Sequence, residues 1–265
     1  MRLDGAVVLV TGASRGIGRA VARAAAAKGA VLGLMARSQA DLDRVRDELG
    51  GKTATAVADV ADRVAVEASI AELTAALGPV DVLVNNAGIG KYASVLHTDV
   101  EEFERLMQVN YLGAVYATKA VLPGMVERRR GHIVNVSSIA GRIGTPFEAA
   151  YSASKFAMTA LSEALAVEAE PFNIGVSMVN PGPVDTDFFD TRGVPYARSF
   201  PKPVRAERVA DAVIAAIERN RREQLIPRWF RQALVFKTLA PPLFYRGTAR
   251  SMRDELAGME RETQN

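Results

Sequence analysis

The chain has 265 residues, of which 49% are apolar and 24% are charged, proportions that suit one globular domain with a substantial core. It contains no cysteine, which excludes disulfides, zinc–thiolate sites and cysteine nucleophiles. No uncharged apolar run reaches the roughly 18 residues that a membrane span requires. The first residues lead directly into a predicted strand and leave no room for a signal peptide, so we expect a cytoplasmic protein.

Strand-like and helix-like segments alternate from the start of the chain. Aliphatic and β-branched runs predict strands at Ala6–Thr11, Val31–Ala36, Thr53–Ala58, Val82–Val84, Ile133–Val136, Ile174–Val179 and Gln224–Ile226. Between them, the pattern predicts helices at about Gly16–Lys28, Ala40–Leu49, Asp62–Leu77, Asp99–Met125, Ala149–Glu168 and Arg205–Ile217. Such alternation predicts an α/β doubly wound Rossmann fold, a parallel sheet with helices on both faces.

The alternation accounts for residues 1–227 as one domain and leaves residues 228–265 as a C-terminal tail. Between Arg219 and Arg253, nine Lys or Arg residues face a single Glu, a local charge of +8 in a chain of net charge +3. The pattern predicts a partly amphipathic helix at Trp229–Ala240, ended by Pro241 and Pro242, and a second at about Ala249–Arg261. The face expected to pack consists of Trp229, Ala233, Phe236 and Ala240.

Three interpretations of this basic tail stay open. Its apolar face packs on the body or on a sister subunit near the substrate entrance, or the tail lies on an anionic membrane surface as a peripheral contact. Nucleic-acid binding is the weakest interpretation, because no recognition fold accompanies the charge.

A glycine-rich turn lies between the first strand and the first helix, with the spacing G-x-x-x-G-x-G. Glycines permit a tight turn and a close backbone approach, while the helix N-terminus offers free N–H groups to a pyrophosphate. The turn therefore predicts dinucleotide binding by Gly12, Ser14, Arg15, Gly16, Ile17 and Gly18.

The end of the second strand bears on which dinucleotide binds. No acidic residue stands there to hold ribose hydroxyls; instead Arg37 follows Ala36, and Arg37 with Arg15 can face a 2′-phosphate. The alternative is that both arginines are solvated surface residues. We expect NADP(H) to be preferred over NAD(H), with Asp59 and Val60 at the edge of the adenine.

Tyr151 and Lys155 are four residues apart in a predicted helix, so both side chains lie on one face, and Ser138 precedes Tyr151 by thirteen positions. A neighbouring ammonium favours a phenolate, so Lys155 is expected to lower the pKa of Tyr151. The pair suits acid–base chemistry on an alcohol or a carbonyl.

Taken together, these residues make the chain resemble the short-chain dehydrogenases/reductases, in their single-domain subgroup. The resemblance covers about Arg2 to Pro227. It rests on a set of short motifs in one order: Thr11–Gly18, Asp59-Val60, Asn85–Gly88, Asn110, Ser138, Tyr151, Lys155 and Asn180–Gly182.

The resemblance implies a seven-stranded sheet in the order 3-2-1-4-5-6-7 and a nicotinamide cofactor. It implies that Ser138 binds the substrate oxygen, that Tyr151 exchanges the proton, that Lys155 also holds the nicotinamide ribose, and that Asn110 binds a water linked to Lys155. Cofactor contacts are further implied for Asn86, Ala87, Gly88, Pro181, Gly182, Val184 and Thr186.

The segment from Pro183 to Pro203 is predicted to be a loop that covers the substrate. Its apolar side chains suggest an apolar ligand, although several of them can simply pack the loop onto the body. They are Phe188, Phe189, Val194, Tyr196 and Phe200, and Val95, Leu96 and Ile143 are expected to add to the pocket wall.

We therefore expect an NADP(H)-dependent reductase of an apolar ketone, aldehyde or β-ketoacyl group, reversible as an alcohol dehydrogenase. The alternatives are a 3-ketoacyl-thioester reductase of fatty-acid type and a non-enzymatic NADP(H)-sensing protein. A homodimer or homotetramer is expected, and nucleic acid is not expected as a partner. No catalytic metal is expected, because His97 and His132 lack partners at metal-ligand spacing and are predicted to be surface residues.

Overall fold

The computed structural model of the chain describes residues 1–196 and 200–262, with side chains up to residue 257. Within these residues, seven strands form one parallel sheet in the order β3-β2-β1-β4-β5-β6-β7. The strands are β1 Val7–Thr11, β2 Val31–Ala36, β3 Thr53–Val57, β4 Val82–Asn85, β5 Gly131–Val136, β6 Ile174–Pro181 and β7 Glu223–Ile226. The predicted fold class and strand order are confirmed.

Helices connect these strands and cover both faces of the sheet. Those of the body are α1 Gly16–Ala26, α2 Gln39–Leu49, α3 Arg63–Leu77, α4 Val100–Met107, α5 Gly113–Arg128, α6 Ala149–Glu168, α7 Phe188–Thr191 and α8 Ala206–Arg219. The helix predicted at Asp99–Met125 is interrupted, because a π-helical turn at Gln108–Leu112 joins α4 to α5. Three helices follow β7: α9 Phe230–Leu239, α10 Pro241–Ser251 and α11 Arg253–Glu262.

The continuous apolar strands are explained by burial on both faces. In β1, Val8 and Val10 face the cluster that contains α1 and α8, whereas Val7 and Leu9 face the cluster that contains α3 and α5. Successive side chains of a strand point to opposite faces, so a strand covered twice needs apolar residues at every position. This core fixes the carboxyl ends of the strands at one edge, where polar segments follow each strand.

The segment predicted as a loop between Pro183 and Pro203 contains regular structure. Val184–Asp185 pairs in parallel with Val204–Arg205, and α7 lies between them. Residues 197–199 of the segment lie outside the described residues. The loop prediction is therefore wrong for these elements. Strands and helices this short have too few residues to produce a periodic pattern in the sequence.

In the tail, the first predicted helix ends before Pro241 as expected, because α9 stops at Leu239. The second predicted helix corresponds to α11, and α10 between them was not predicted; it begins at Pro241, which is compatible with proline because the first residue of a helix needs no N–H partner. The predicted packing face is wrong. The face of α9 towards the body contains Phe230 and Lys237, and Phe236 of the predicted packing face is exposed. The helix is rotated because the Phe230 ring fills the space beside Gly182.

His132 is buried on β5, so its predicted surface position is wrong, whereas His97 is exposed. One ring nitrogen of His132 lies 2.8 Å from Ser177 Oγ, and burial lowers the pKa of His132 to about 4. It is a neutral core residue. Within residues 1–196 and 200–262, no helix is long and apolar enough to cross a bilayer.

Candidate active site

One cavity of about 1170 Å³ opens at the carboxyl edge of the sheet, where loops follow β1, β2, β4, β5 and β6. Its wall contains every predicted catalytic or cofactor residue except Gly18 and Asn110. These residues are Gly12, Ser14, Arg15, Gly16, Ile17, Arg37, Asp59, Val60, Asn86, Ala87, Gly88, Ser138, Tyr151, Lys155, Pro181, Gly182, Val184 and Thr186. Positions far apart in sequence are thus brought to one space.

The phosphate end of the cavity, defined by the turn Gly12–Gly18, is shaped by backbone. Gly12 has φ +63°, and a Cβ there would lie 2.8 Å from Ala87 Cα. A Cβ on Gly18 would lie 2.2 Å from Gly12 O, so Gly18 supports the turn from behind the wall. Asn86 Nδ2 donates to Thr11 O at 3.0 Å and to Gly12 O at 3.2 Å, which ties the loop after β4 to this turn.

This cradle fits a pyrophosphate for two reasons. Gly12 and Gly18 let the turn pack tightly on the loop after β4, and α1 begins at Gly16 on the cavity wall, where its first N–H groups have no partner within the helix. Arg15 and Arg37 lie on the same wall and are exposed. Arg15 forms a 3.9 Å ion pair with Asp187, which is itself exposed. Positive charge and a free helix N-terminus therefore meet at the phosphate end.

The catalytic candidates Ser138, Tyr151 and Lys155 lie together at the middle of the cavity. The Ser138 hydroxyl accepts from Ala140 N at 3.1 Å and is close enough to the Tyr151 phenol to lower its pKa. Lys155 Nζ lies 5.8 Å from the centroid of the Tyr151 ring and donates to Val136 O at 3.0 Å. All three side chains are buried, yet all three border the cavity. Two hydroxyl groups can therefore reach the same substrate oxygen.

The pKa of Tyr151 differs in direction from the prediction. Burial raises the pKa of Tyr151 and outweighs the hydrogen bond from Ser138, which lowers it; the Glu148 carboxylate raises the value and Arg192 lowers it. Lys155 is not among the groups that shift the pKa of Tyr151, and burial lowers the pKa of Lys155 itself to about 8. Tyr151 consequently holds its proton at neutral pH, which suits the donation of a proton to a developing alkoxide.

Asn110 lies behind the wall, in the π-helical turn between α4 and α5. Its Oδ1 accepts from Ile89 N at 2.8 Å, and its Nδ2 donates to Ile89 O at 2.9 Å and to Ser154 Oγ at 2.9 Å. Ser154 Oγ in turn donates to Tyr151 O at 2.7 Å. The π turn thus directs a fully buried amide to the loop beside Lys155, and π turns are frequent at functional sites.

The opposite part of the cavity, the substrate end, is lined by α7, the residues after it and the tail. Of the predicted wall residues, it contains Ile143, Phe188, Phe189, Val194 and Tyr196. Phe200 instead stacks on Trp229 with ring centroids 5.2 Å apart. Val95 and Leu96 are 64% and 65% exposed and lie away from the cavity, so their prediction was wrong.

Sequence reasoning missed several residues at the substrate end. Tyr92, Glu148 and Arg192 border the cavity, and the Arg192 guanidinium forms a buried ion pair with Glu148. The tail contributes Phe230, Thr248, Ser251, Met252 and Glu255. Glu148 stands three residues before Tyr151, and this spacing could have predicted that it lies near the site. Nothing in the sequence connects Glu148 to Arg192.

Comparison of the chain with known proteins identifies its family. The family profile of short chain dehydrogenases matches residues 6–194. The chain belongs to the short-chain dehydrogenase family. It is 38% identical over 268 residues to dehydrogenase/reductase SDR family member 7B of Mus musculus, covering 96% of this chain and 83% of the mouse protein.

A second relative is a 3-ketodihydrosphingosine reductase of Bacteroides thetaiotaomicron, 39% identical over 188 residues, which cover 71% of this chain and 67% of that protein. Among solved structures, a short-chain dehydrogenase/reductase of Burkholderia phymatum in complex with NAD superposes with a TM-score of 0.84 and 27% identity, covering 92% of this chain and 96% of that chain. An alcohol dehydrogenase of Thermococcus sibiricus with 5-hydroxy-NADP gives a TM-score of 0.76 and 30% identity, covering 83% and 95%.

This short-chain dehydrogenase is therefore an oxidoreductase whose fold binds a nicotinamide cofactor. The glycine cradle fits the pyrophosphate of such a cofactor, and Lys155 and the Asn86–Gly88 segment border the space next to it. Among the residues that the structure describes, no three His, Asp or Glu side chains cluster as metal ligands do.

Proposed function

We propose that this short-chain dehydrogenase reduces the carbonyl group of an apolar, lipid-like substrate with NADPH, and that it catalyses the reverse oxidation of the alcohol. The observation that carries the proposal is the placement of the buried Ser138 and Tyr151 hydroxyls in one cavity, between a glycine cradle and an aromatic wall. A donor already aimed at the oxygen stabilises the charge that develops there, typically by about 3 kcal/mol.

The bound nicotinamide supplies the hydride, and the protein supplies position, polarity and the proton. Ser138 holds the substrate oxygen through its hydroxyl. Tyr151 donates its proton to that oxygen, and its raised pKa keeps the proton in place until charge develops. Lys155, with a pKa of about 8, is poised near neutral pH to return a proton towards Tyr151.

The preference for NADPH is supported by Arg15 and Arg37, which border the phosphate end, and by the absence of an acidic residue directly after β2. A planar guanidinium makes charge-assisted contacts with a phosphate, whereas a ribose hydroxyl gains little from it. One similar solved structure contains NAD and another contains 5-hydroxy-NADP, so the fold itself does not select between the two cofactors. We therefore base the proposed preference for NADPH on these side chains.

An apolar substrate is supported by the aromatic side chains at the substrate end. The ring centroids of Phe188 and Phe189 are 6.0 Å apart, and those of Phe189 and Tyr196 are 4.9 Å apart, which extends one aromatic wall away from Tyr151. One relative is named as a reductase of a long-chain ketone, 3-ketodihydrosphingosine. We therefore infer a carbonyl beside an extended hydrocarbon chain.

The test is a panel of carbonyl compounds with NADPH and NADH in parallel: long-chain ketones, short-chain ketones, aldehydes and β-ketoacyl thioesters. We expect NADPH oxidation with long-chain ketones and a lower KM as the chain lengthens. A clear preference for β-ketoacyl thioesters would favour the fatty-acid-type reductase. No turnover of any member would contradict the enzymatic proposal and favour an NADP(H)-sensing protein.

We also propose that the tail contacts the surface of an anionic membrane, with the enzyme located in the cytoplasm. Val235 and Leu239 lie on the face of α9 away from Lys237, which contacts the body, and Phe236 lies at the side of that face against Phe244; all three are exposed. Arginines at positions 228, 231, 246 and 250 add positive charge to the same region. Apolar side chains beside basic ones are typical of a helix at an anionic lipid surface.

Co-sedimentation with vesicles of phosphatidylcholine and phosphatidylserine tests this contact. A variant with Val235→Ser, Phe236→Ser and Leu239→Ser should remain in the supernatant, whereas the wild type sediments. Replacement of Val64, Val95 and Leu96 by Ser, three exposed residues away from the tail and from α5 and α6, gives a matched control that should sediment like the wild type. Equal partition of the tail variant and the wild type would contradict the proposal.

A homodimer or homotetramer is proposed as the assembly. Its support is the pair of long helices α5 and α6, which leaves apolar side chains such as Phe156 and Val167 exposed. Light scattering of the purified chain measures the mass directly, and a monomer at micromolar concentration would contradict this proposal.

A further inference from the structure

A buried ion pair joins two elements of the substrate end that are far apart in sequence. Glu148 directly precedes α6 and stands one helical turn before Tyr151. Arg192 directly follows α7, the short helix that covers the cavity. The side chain of Arg192 is 6% exposed and that of Glu148 is 14% exposed, and both border the cavity.

Further contacts hold the Arg192 guanidinium in place. It lies 4.6 Å from the centroid of the Tyr92 ring and 4.8 Å from that of the Phe189 ring, so it is flanked by two aromatic faces. Its Nε donates to Val194 O at 3.0 Å. The backbone adds a further contact, because Tyr92 N donates to Arg192 O at 3.3 Å. Arg192 therefore connects three segments: the loop after β4, the residues before α6, and α7 with the residues that follow it.

The position of α7 decides what stands beside Tyr151. The Phe188 ring centroid is 5.6 Å from that of Tyr151, at a tilted angle. On its other side Phe188 packs so closely on Gly90 that a Cβ there would lie 2.7 Å from Phe188 Cζ. A shift of α7 would consequently move an aromatic wall relative to the proton donor.

We propose that Glu148 and Arg192 form a positioning pair that fixes α7 over Tyr151 and, by neutralising the guanidinium, makes the substrate end select an uncharged group. An unpaired guanidinium in a pocket of low polarity binds carboxylate strongly, whereas one already bonded to Glu148 offers no free charge. The inference rests on the proposed carbonyl reduction, since selection is measured on that reaction.

The selection is tested with two substrates that share a carbon skeleton, a long-chain keto ester and its free keto carboxylate. In Glu148→Gln, the KM for the carboxylate should fall about tenfold relative to that for the ester, because Arg192 loses its partner. In Arg192→Gln the change should have the opposite sign. Arg192→Lys keeps the charge and should keep the discrimination of the wild type.

The positioning is tested without turnover, by hydrogen exchange of the peptide 188–196 in the cofactor-free protein. Both Glu148→Gln and Arg192→Gln should increase its exchange at least several-fold. The matched control is Glu170→Gln, which removes an exposed 3.0 Å pair with Arg222 and should change neither measurement.

Equal changes of KM for ester and carboxylate would overturn the selection, and unchanged exchange of the peptide 188–196 would overturn the positioning. Failure of the proposed function is distinguishable, because the wild type would then reduce neither substrate while the exchange experiment would still decide whether the pair holds α7.

Discussion

The two ends of the cavity differ in the atoms that form their walls. At the phosphate end, backbone atoms of one short turn form the wall, and Asn86 fixes that turn through hydrogen bonds to Thr11 O and Gly12 O. At the substrate end, side chains from the loop after β4, the start of α6, α7 and the tail meet around Arg192 and Met252. A cradle of backbone atoms suits the pyrophosphate, which is the same in every cofactor molecule. A wall of side chains can change its substrate selectivity by substitution, without disturbing that cradle.

Tyr151 lies where the two ends meet, and its replacement should have the largest effect. In Tyr151→Phe we expect kcat to fall about 1000-fold because the proton donor is lost. The affinity for NADPH should remain within about twofold of the wild type, as measured by fluorescence titration, because the ring remains. Turnover comparable with that of the wild type would refute the acid role.

A change confined to the phosphate end should affect the cofactor alone. In Gly18→Ala the new Cβ would meet Gly12 O, a backbone atom that cannot move cheaply. We expect the affinity for NADPH to fall about 100-fold. Gly247→Ala is the control, because Gly247 is exposed in α10 with open space at its Cβ position. Unchanged cofactor affinity in Gly18→Ala would show that the turn can relax.

Lys155 links the chemistry to stability. Its pKa is about 8 in the folded protein, against 10.5 for a lysine side chain in water, so burial of the charged form costs roughly 3 kcal/mol below pH 8. The unfolded chain binds more protons between these values, and the stability of the wild type should therefore rise from pH 8 to pH 10. Lys155→Met should be more stable at pH 7 and inactive.

Urea denaturation of the cofactor-free protein at pH 7, 8, 9 and 10 measures both parts of this prediction. The difference in the free energy of unfolding between Lys155→Met and the wild type should shrink as the pH rises. A difference that stays constant across this range would mean that the pKa of Lys155 in the folded protein is not lowered.

A change confined to the substrate end should spare the cofactor. Met252 is buried in the tail and borders the cavity, so Met252→Ala enlarges the apolar space. We expect the KM for a long-chain ketone to rise about tenfold with little change in NADPH affinity. Loss of cofactor affinity in this variant would show that the two ends are not independent.

Arg37 should have an effect no larger than that of Met252, and one confined to the choice between NADPH and NADH. In Arg37→Leu, the preference for NADPH over NADH in kcat/KM should fall about tenfold, because one charge-assisted contact to the 2′-phosphate is lost. Arg63→Leu, an exposed arginine of α3 that pairs with Glu67 away from the cavity, serves as the control. An unchanged ratio in Arg37→Leu would mean that Arg37 is a solvated surface residue.

Prediction from the sequence was most successful where one short segment decides the outcome. The parallel sheet followed from apolar runs that reflect burial on both faces, and the phosphate end followed from a seven-residue glycine spacing. It failed for Val95 and Leu96, which are exposed, and for His132, which is buried. Hydrophobicity does not reveal which apolar loop residue turns inward, because tertiary packing decides it.

The raised pKa of Tyr151 is a second property that depends on tertiary packing and could not be predicted from the sequence. Spacing places an ammonium near the phenol, but it does not reveal that both groups are buried. Desolvation raises the pKa of Tyr151, and Lys155 is not among the groups that lower it. Likewise the Glu148–Arg192 pair joins residues 44 positions apart, with no local signal to connect them.

By itself, the sequence determined the layered α/β fold and pointed to the glycine-rich turn and to Ser138, Tyr151 and Lys155 as candidates for the site, because periodicity and short-range spacing are local properties of a chain. Only the tertiary structure decided the protonation tendencies at that group, the rotation of α9 and the wall of the substrate end. These depend on burial and on contacts between distant segments, and neither is encoded at any single position.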